Sequence, residues 1–222
     1  RLMAPHTVLI IENHYLGAVL EGGQFDTFYH EHPRSYSYTS FTHIARSLGV
    51  ELIDVEFSSR YGGNIRVFIG DSAFGNHKTV DTYNLSEKEG RFLEDFDVLR
   101  KNVESWHKRK KCFIKSQIQQ YGKLRAKAFP GRAAILVKLL ELTENQIIAV
   151  HEKPGSLKIG HYLPGTRIPI YSDETLFALP DKNAPLLNLA WHIPREINNY
   201  LTGNGYTGPI TDIISAEDFL PG

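Results

Sequence analysis

From Gly122 onward the chain alternates short apolar runs with helix-forming stretches, and this alternation is its strongest constraint on fold. Residues 124–129 read as a strand, 131–142 as an apolar helix, and 146–151 (QIIAVH) as a strong strand. Strands follow at 167–171, 186–191 and 209–214, with short helices at 173–179 and 194–201. Such a βαβ rhythm predicts a parallel, doubly wound sheet. Ligands of such sheets bind at the carboxyl ends of the strands, here 129–132, 151–154, 171–173 and 191–195.

The first part has a different texture. Residues 7–12 (TVLIIE) form a continuous apolar run closed by an acid, the pattern of a parallel strand buried on both faces. In 37–48, Phe41, Ile44, Ala45 and Leu48 recur at i, i+3, i+4 and i+7, one helical face, with Gly49 suited to the C′ position. Residues 50–57 alternate, and 64–69 place Ile65, Val67 and Ile69 on one face. The two read as an antiparallel pair joined through Gly62-Gly63. Residues 86–120 then read as one helix opened by a Ser86/Glu89 capping box, roughly 50 Å long at about 1.5 Å per residue. Phe92, Phe96, Leu99, Val103 and Trp106 mark its apolar face. The expected organisation is α/β throughout. Residues 1–80 form the end of one sheet, 81–121 a linking helix, and 122–222 a Rossmann-like domain, with a boundary near 75–85. A chain that opens almost directly on a core strand is expected to be a piece of a longer protein.

Charge narrows the partners. Twenty-five basic residues balance twenty-five acidic ones, so no global field recruits nucleic acid or an acidic membrane. No run reaches membrane-spanning length and no signal peptide is visible. The single cysteine, Cys112, rules out an intrachain disulfide and a cysteine-based zinc site, and it fits a reducing cytoplasm.

The densest chemical cluster is Tyr29-His30-Glu31-His32, expected on a loop before Pro33. Two imidazoles, a phenol and a carboxylate suit acid/base catalysis at neutral pH. Two other readings stand beside it. One is metal binding by His30 and His32, for which no third ligand is visible, so no metal is expected. The other is an ordinary polar surface loop. Arg34 and Arg66 read as anion binders or as surface ion pairs. Gly62-Gly63 reads as a turn or as a place where a ligand approaches the backbone closely. In the second half, Pro130-Gly131-Arg132 precedes a helix and offers N–H groups and a guanidinium to phosphate, and Trp191 with His192 offers rings to flank a base or a sugar. The alternative is a purely structural turn.

One string is more specific: IIENHYLG, then GGQFDTFYHEH, then SYTSFTHIARSLGVELIDVEFSSRYGGNIRVFIG. It resembles the three-domain sugar C-methyltransferases of deoxysugar biosynthesis. Tyr29, Glu31, His32, Gly62, Gly63 and Arg66 match that family's Tyr-x-Glu-His loop and Gly-Gly-x-x-Arg motif, and PGTRIPI and AWHIPREI are similar to its C-terminal domain. The resemblance implies a SAM-dependent methyltransferase (SAM, S-adenosylmethionine) acting on a nucleotide-linked 4-keto deoxysugar, at C-3. His32 would be the base, with Tyr29 and Glu31 assisting. Arg66, Gly62, Gly63, Arg132, Gly131 and Trp191 would contact substrate. It also implies that zinc and SAM domains precede this chain, whose own sequence lacks the Gly-rich SAM loop and the zinc cysteines. The family's Gly-Tyr-Gly-Ala turn is replaced here by residues 126–133 (AKAFPGRA), and Tyr61 stands where a histidine is common. A non-catalytic nucleotide-sugar-binding module and a metal hydrolase built on His30 and His32 are the rivals.

Overall fold

The computed structural model describes residues 4, 6–71, 73 and 81–219. The chain divides into two units, Arg1–Lys101 and Asn102–Gly222. The boundary expected near 75–85 falls in part on residues outside those described.

The first unit carries β1 (Leu9–His14), α1 (Leu16–Glu21), α2 (Tyr38–Ser47), β2 (Glu51–Ser58), β3 (Asn64–Gly70) and α3 (Thr82–Glu89). Its sheet has the order β1-β3-β2, and β3 is antiparallel to both neighbours. The expected β2–β3 pairing is present, whereas the parallel, doubly buried β1 is corrected. The hairpin brings β3 back between β2 and β1, and β1 turns alternate residues outward, leaving Ile10 57% exposed. Phe41 and Ala45 of α2 close the core over Val55, Ile65, Val67 and Ile69.

The start of α2 is doubly capped. Ser37 forms a capping box with Ser40. The buried Glu89 carboxylate accepts from Tyr38 N (2.7 Å), Thr39 N (2.8 Å) and the Tyr15 hydroxyl (3.2 Å). A carboxylate suits these orphan donors at the positive end of a helix. The expected Ser86/Glu89 capping box is therefore absent, because Glu89 serves α2 instead. The cap of α3 is Asp81, which accepts from Tyr83 N and Asn84 N. The single long helix is also corrected: α3 stops at Gly90, and α4 (Phe92–Tyr121) begins after it.

The division between units falls inside α4. The second unit continues with β4 (Leu124–Lys127), α5 (Ala133–Leu139), β5 (Ile147–Glu152), β6 (Ile170–Ser172), α6 (Asp173–Phe177), β7 (Leu186–Asn188), α7 (Pro194–Gly203) and β8 (Ile210–Asp212). Every strand pair is parallel, in the order β6-β5-β4-β7-β8. This is the Rossmann-like order expected, with its topological switch between β4 and β7. Strand residues such as Ala126, Ala149, Val150, Ile170, Leu186 and Leu187 are buried, as a sheet covered on both faces requires. Trp106, fully buried, donates its indole N–H to Ile213 O at 2.7 Å and fixes α4 to the end of β8.

Candidate functional site

In the first unit the chemistry sits on a turn that follows a 3-10 segment, Phe25–Thr27. His32 N–H donates to Tyr29 O at 2.9 Å and closes the turn. The Tyr29 hydroxyl donates to Glu31 Oε2 at 2.6 Å. The rings of His30 and His32 both meet Tyr29 edge-on, with centroids 5.3 Å away. His14, at the end of β1, approaches His32 at 6.0 Å, a neighbour the sequence pattern does not announce. Thus Tyr29, His30, Glu31 and His32 are brought together. Glu31, expected to assist the base, is engaged by Tyr29.

His30, Glu31, His32 and Arg34 are exposed. The opposite holds just before the turn, where Asp26 is fully buried and the buried Thr27 hydroxyl makes no hydrogen bond among the described residues. Among those residues, no group of three or more His, Cys, Asp or Glu side chains gathers as metal ligands. A cavity of about 520 Å³ at the same sheet end is lined by Tyr15, Ala18, Phe57, Gly63, Asn64 and Leu85, and residues 29–32 lie outside it.

Gly62 (φ 89°) and Gly63 (φ 121°) do permit a close approach, but to this chain itself. A Cβ on Gly62 would lie 2.4 Å from Gln24 Oε1, and one on Gly63 would lie 2.4 Å from Ala18 Cβ. The Gln24 amide donates to Gly62 O at 2.8 Å across that gap. Arg66 sits in the middle strand between two acids, bonding Glu12 at 2.6 Å and Glu56 at 3.0 Å. Hydrogen bonds from Asn64 and Arg66 hold the Glu12 carboxyl below its usual range.

In the second unit the strand ends converge on a buried ion pair. Lys127, 1% exposed, donates to both oxygens of Asp173, 0% exposed, at 2.8 and 2.9 Å. It also donates to His151 O at 3.2 Å and faces the Tyr200 ring at 5.2 Å. Burial pulls the Lys127 ammonium below its usual range against the pull of Asp173. Burial also depresses His151 to about 4, with the Arg125 and Lys127 charges adding to the effect and the Ser172 carbonyl opposing it. Arg132 stacks over the Trp191 ring at 5.4 Å, so two residues expected at a ligand do share one face. Gly131 lies in the turn before α5, a helix of only seven residues.

Residues 59–207 match the family described as C-methyltransferase C-terminal domain. The chain belongs to this family. A curated relative, the C-methyltransferase NovU of Streptomyces niveus, is 28% identical over 236 residues, covering 99% of this chain and 54% of the relative. The chain therefore spans about half the length of the curated relative it matches. The matched domain contains Gly62, Gly63, Arg66, Gly131, Arg132 and Trp191, and residues 29–32 precede it. Among the described residues no helix is long and apolar enough to cross a membrane.

Sequence reasoning did not single out His14, Asp173 or Glu152, although the last two lie in the strand ends 171–173 and 151–154 that it named. For Glu152 a signal existed: an acid at the end of the second strand, about 20 residues after the first turn, is where Rossmann sheets keep a functional carboxylate.

Proposed function

We propose that this chain is the substrate-handling, base-bearing half of a SAM-dependent methyltransferase that methylates a nucleotide-linked 4-keto deoxysugar at C-3. The observation that carries the reading is the 29–32 turn, where a phenol held at 2.6 Å by a carboxylate lies edge-on to an exposed imidazole. In this reading His32 takes the proton from the carbon beside the ketone. As the enolate forms, the Tyr29 hydroxyl turns its single proton from Glu31, which holds it beforehand, to the enolate oxygen. Arg132 and Trp191 offer a charged and an aromatic surface to the nucleotide, and the second unit acts as its docking domain.

The methyl group comes from SAM, and the described residues do not fit that cofactor. Glu12, the acid at a strand end of the first unit, is tied to Asn64 and Arg66. Among the described residues the sheet around it is antiparallel, without the parallel βα crossover at which such cofactors bind. Both facts support a donor site formed elsewhere in a longer enzyme. The chain's own chemistry is then confined to the proton and the substrate.

The exposure of His30, Glu31 and His32 favours a second reading, a nucleotide-sugar-binding module without catalysis. Hydrogen exchange separates the two. In the full-length enzyme, His32→Ala should lower both methylation and solvent deuterium exchange beside the ketone by about 10²–10⁴-fold, the usual value of a general base. Wild-type exchange in that variant would remove His32 from the role and leave the binding-module reading standing.

A further inference from the structure

The turn after β4 is where a doubly wound sheet presents backbone N–H groups to a ligand phosphate. Here the donors of Ala128, Phe129 and Ala133 are spent internally. Ala128 N–H goes to His151 O at 2.9 Å. Phe129 N–H goes to the Glu152 carboxylate at 2.8 Å. Pro130 has no N–H, and Ala133 N–H folds back to Pro130 O at 2.9 Å. The Lys158 ammonium donates to Phe129 O and lies 3.4 Å from the same Glu152 oxygen. Ala128 holds φ 60°, a left-handed conformation that disfavours side chains, so the turn keeps the shape of a glycine-opened loop without the glycine.

We infer that the Phe129 N–H and the Lys158 ammonium form an anion site which the protein fills with its own Glu152 carboxylate. The inference rests on geometry alone and deepens the docking role proposed for this unit. A nucleotide diphosphate does not take the Phe129 N–H and the Lys158 ammonium, and it meets the unit through other groups such as the Arg132 side chain. The charge arithmetic supports this. A phosphate placed here would face a carboxylate at hydrogen-bond distance from the donor it needs, and like charges in that geometry repel. The acid that in a dinucleotide-binding sheet reaches outward to a ribose reaches inward here.

The site is tested with inorganic pyrophosphate, following backbone amide signals of the full chain by NMR. In the wild type, pyrophosphate leaves the Phe129 amide unmoved at millimolar concentration. Glu152→Ala frees the amide and the ammonium, and pyrophosphate then shifts Phe129 saturably, with affinity raised about tenfold or more, the scale of one charge-assisted hydrogen bond. Glu152→Gln, which keeps an acceptor oxygen and the fold, gives an intermediate response. A saturable Phe129 shift in the wild type overturns the inference, and so does a folded Glu152→Ala variant with no response. Neither result bears on His32, so failure here is distinguishable from failure of the methyltransferase reading.

Discussion

The two units differ in where their densest polar groups lie. The second buries them and pairs them: Lys127 with Asp173, Lys110 with Asp218 at 3.0 Å, and Asn188 with Asp212 at 2.7 Å. Even its ligand-type turn is filled by Glu152. The first unit exposes its densest chemistry, on residues 29–34, and leaves a buried threonine hydroxyl unbonded among the described residues. Charge density alone therefore does not mark a site. In the second unit the buried charges are consumed by architecture, as Glu89 and Arg66 are in the first, whereas the exposed charges of residues 29–34 are still available to a substrate.

The largest expected effect tests the architectural half of this contrast. Asp173→Ala leaves the Lys127 ammonium buried and unpaired, and should cost about 3–5 kcal/mol in chemical denaturation. The double variant Lys127→Met, Asp173→Leu should recover most of that loss, since removing both charges removes the desolvation cost as well. A small loss in the single variant would mean that the pair is not structural, and the contrast would fail.

Acid supplies the next effect. His151 titrates at about 4 in the folded chain against 6.5 unperturbed, so the unfolded chain takes up its proton first. Stability is then full above pH 6.5 and falls as the pH drops toward 4. The loss reaches about 3 kcal/mol, since each pKa unit is worth about 1.4 kcal/mol. Equilibrium unfolding of wild type and His151→Gln across that range checks it. The variant should lose the acid-dependent limb, and an unchanged slope would exclude His151 as its source.

The smallest effect belongs to the first unit. Thr27→Val replaces an unbonded buried hydroxyl with a methyl of similar shape, and should leave stability within about 1 kcal/mol, raised rather than lowered. A clear destabilisation by thermal unfolding would show that the hydroxyl is bonded after all, and that the first unit is as internally satisfied as the second.

The second unit was the more legible in sequence. Its strands are short apolar runs at regular spacing, and burial on both faces makes such runs unambiguous. The first unit misled where long-range partners decided the outcome. The TVLIIE run looks doubly buried, yet β1 lies antiparallel beside β3, whose paired residues are 50 to 60 positions away. Glu89 has capping-box spacing from Ser86, yet it bonds a helix that begins at Tyr38. At the site, the pattern placed Tyr29, Glu31 and His32 together, because neighbours in sequence stay neighbours in a turn. It did not reveal that Glu31 would choose Tyr29, or that His14 would arrive beside His32, because both depend on how the chain folds back.

The Glu89 carboxylate joins segments separated by 50, 51 and 74 residues. Such closures are entropically slow and come after local structure has formed. The start of α2 can wind early on its Ser37 cap, but Tyr38 and Thr39 lock only when α3 arrives. Glu89 thus acts as a latch set last, and the amides of Tyr38 and Thr39 should record in exchange kinetics the moment when the first unit is finished.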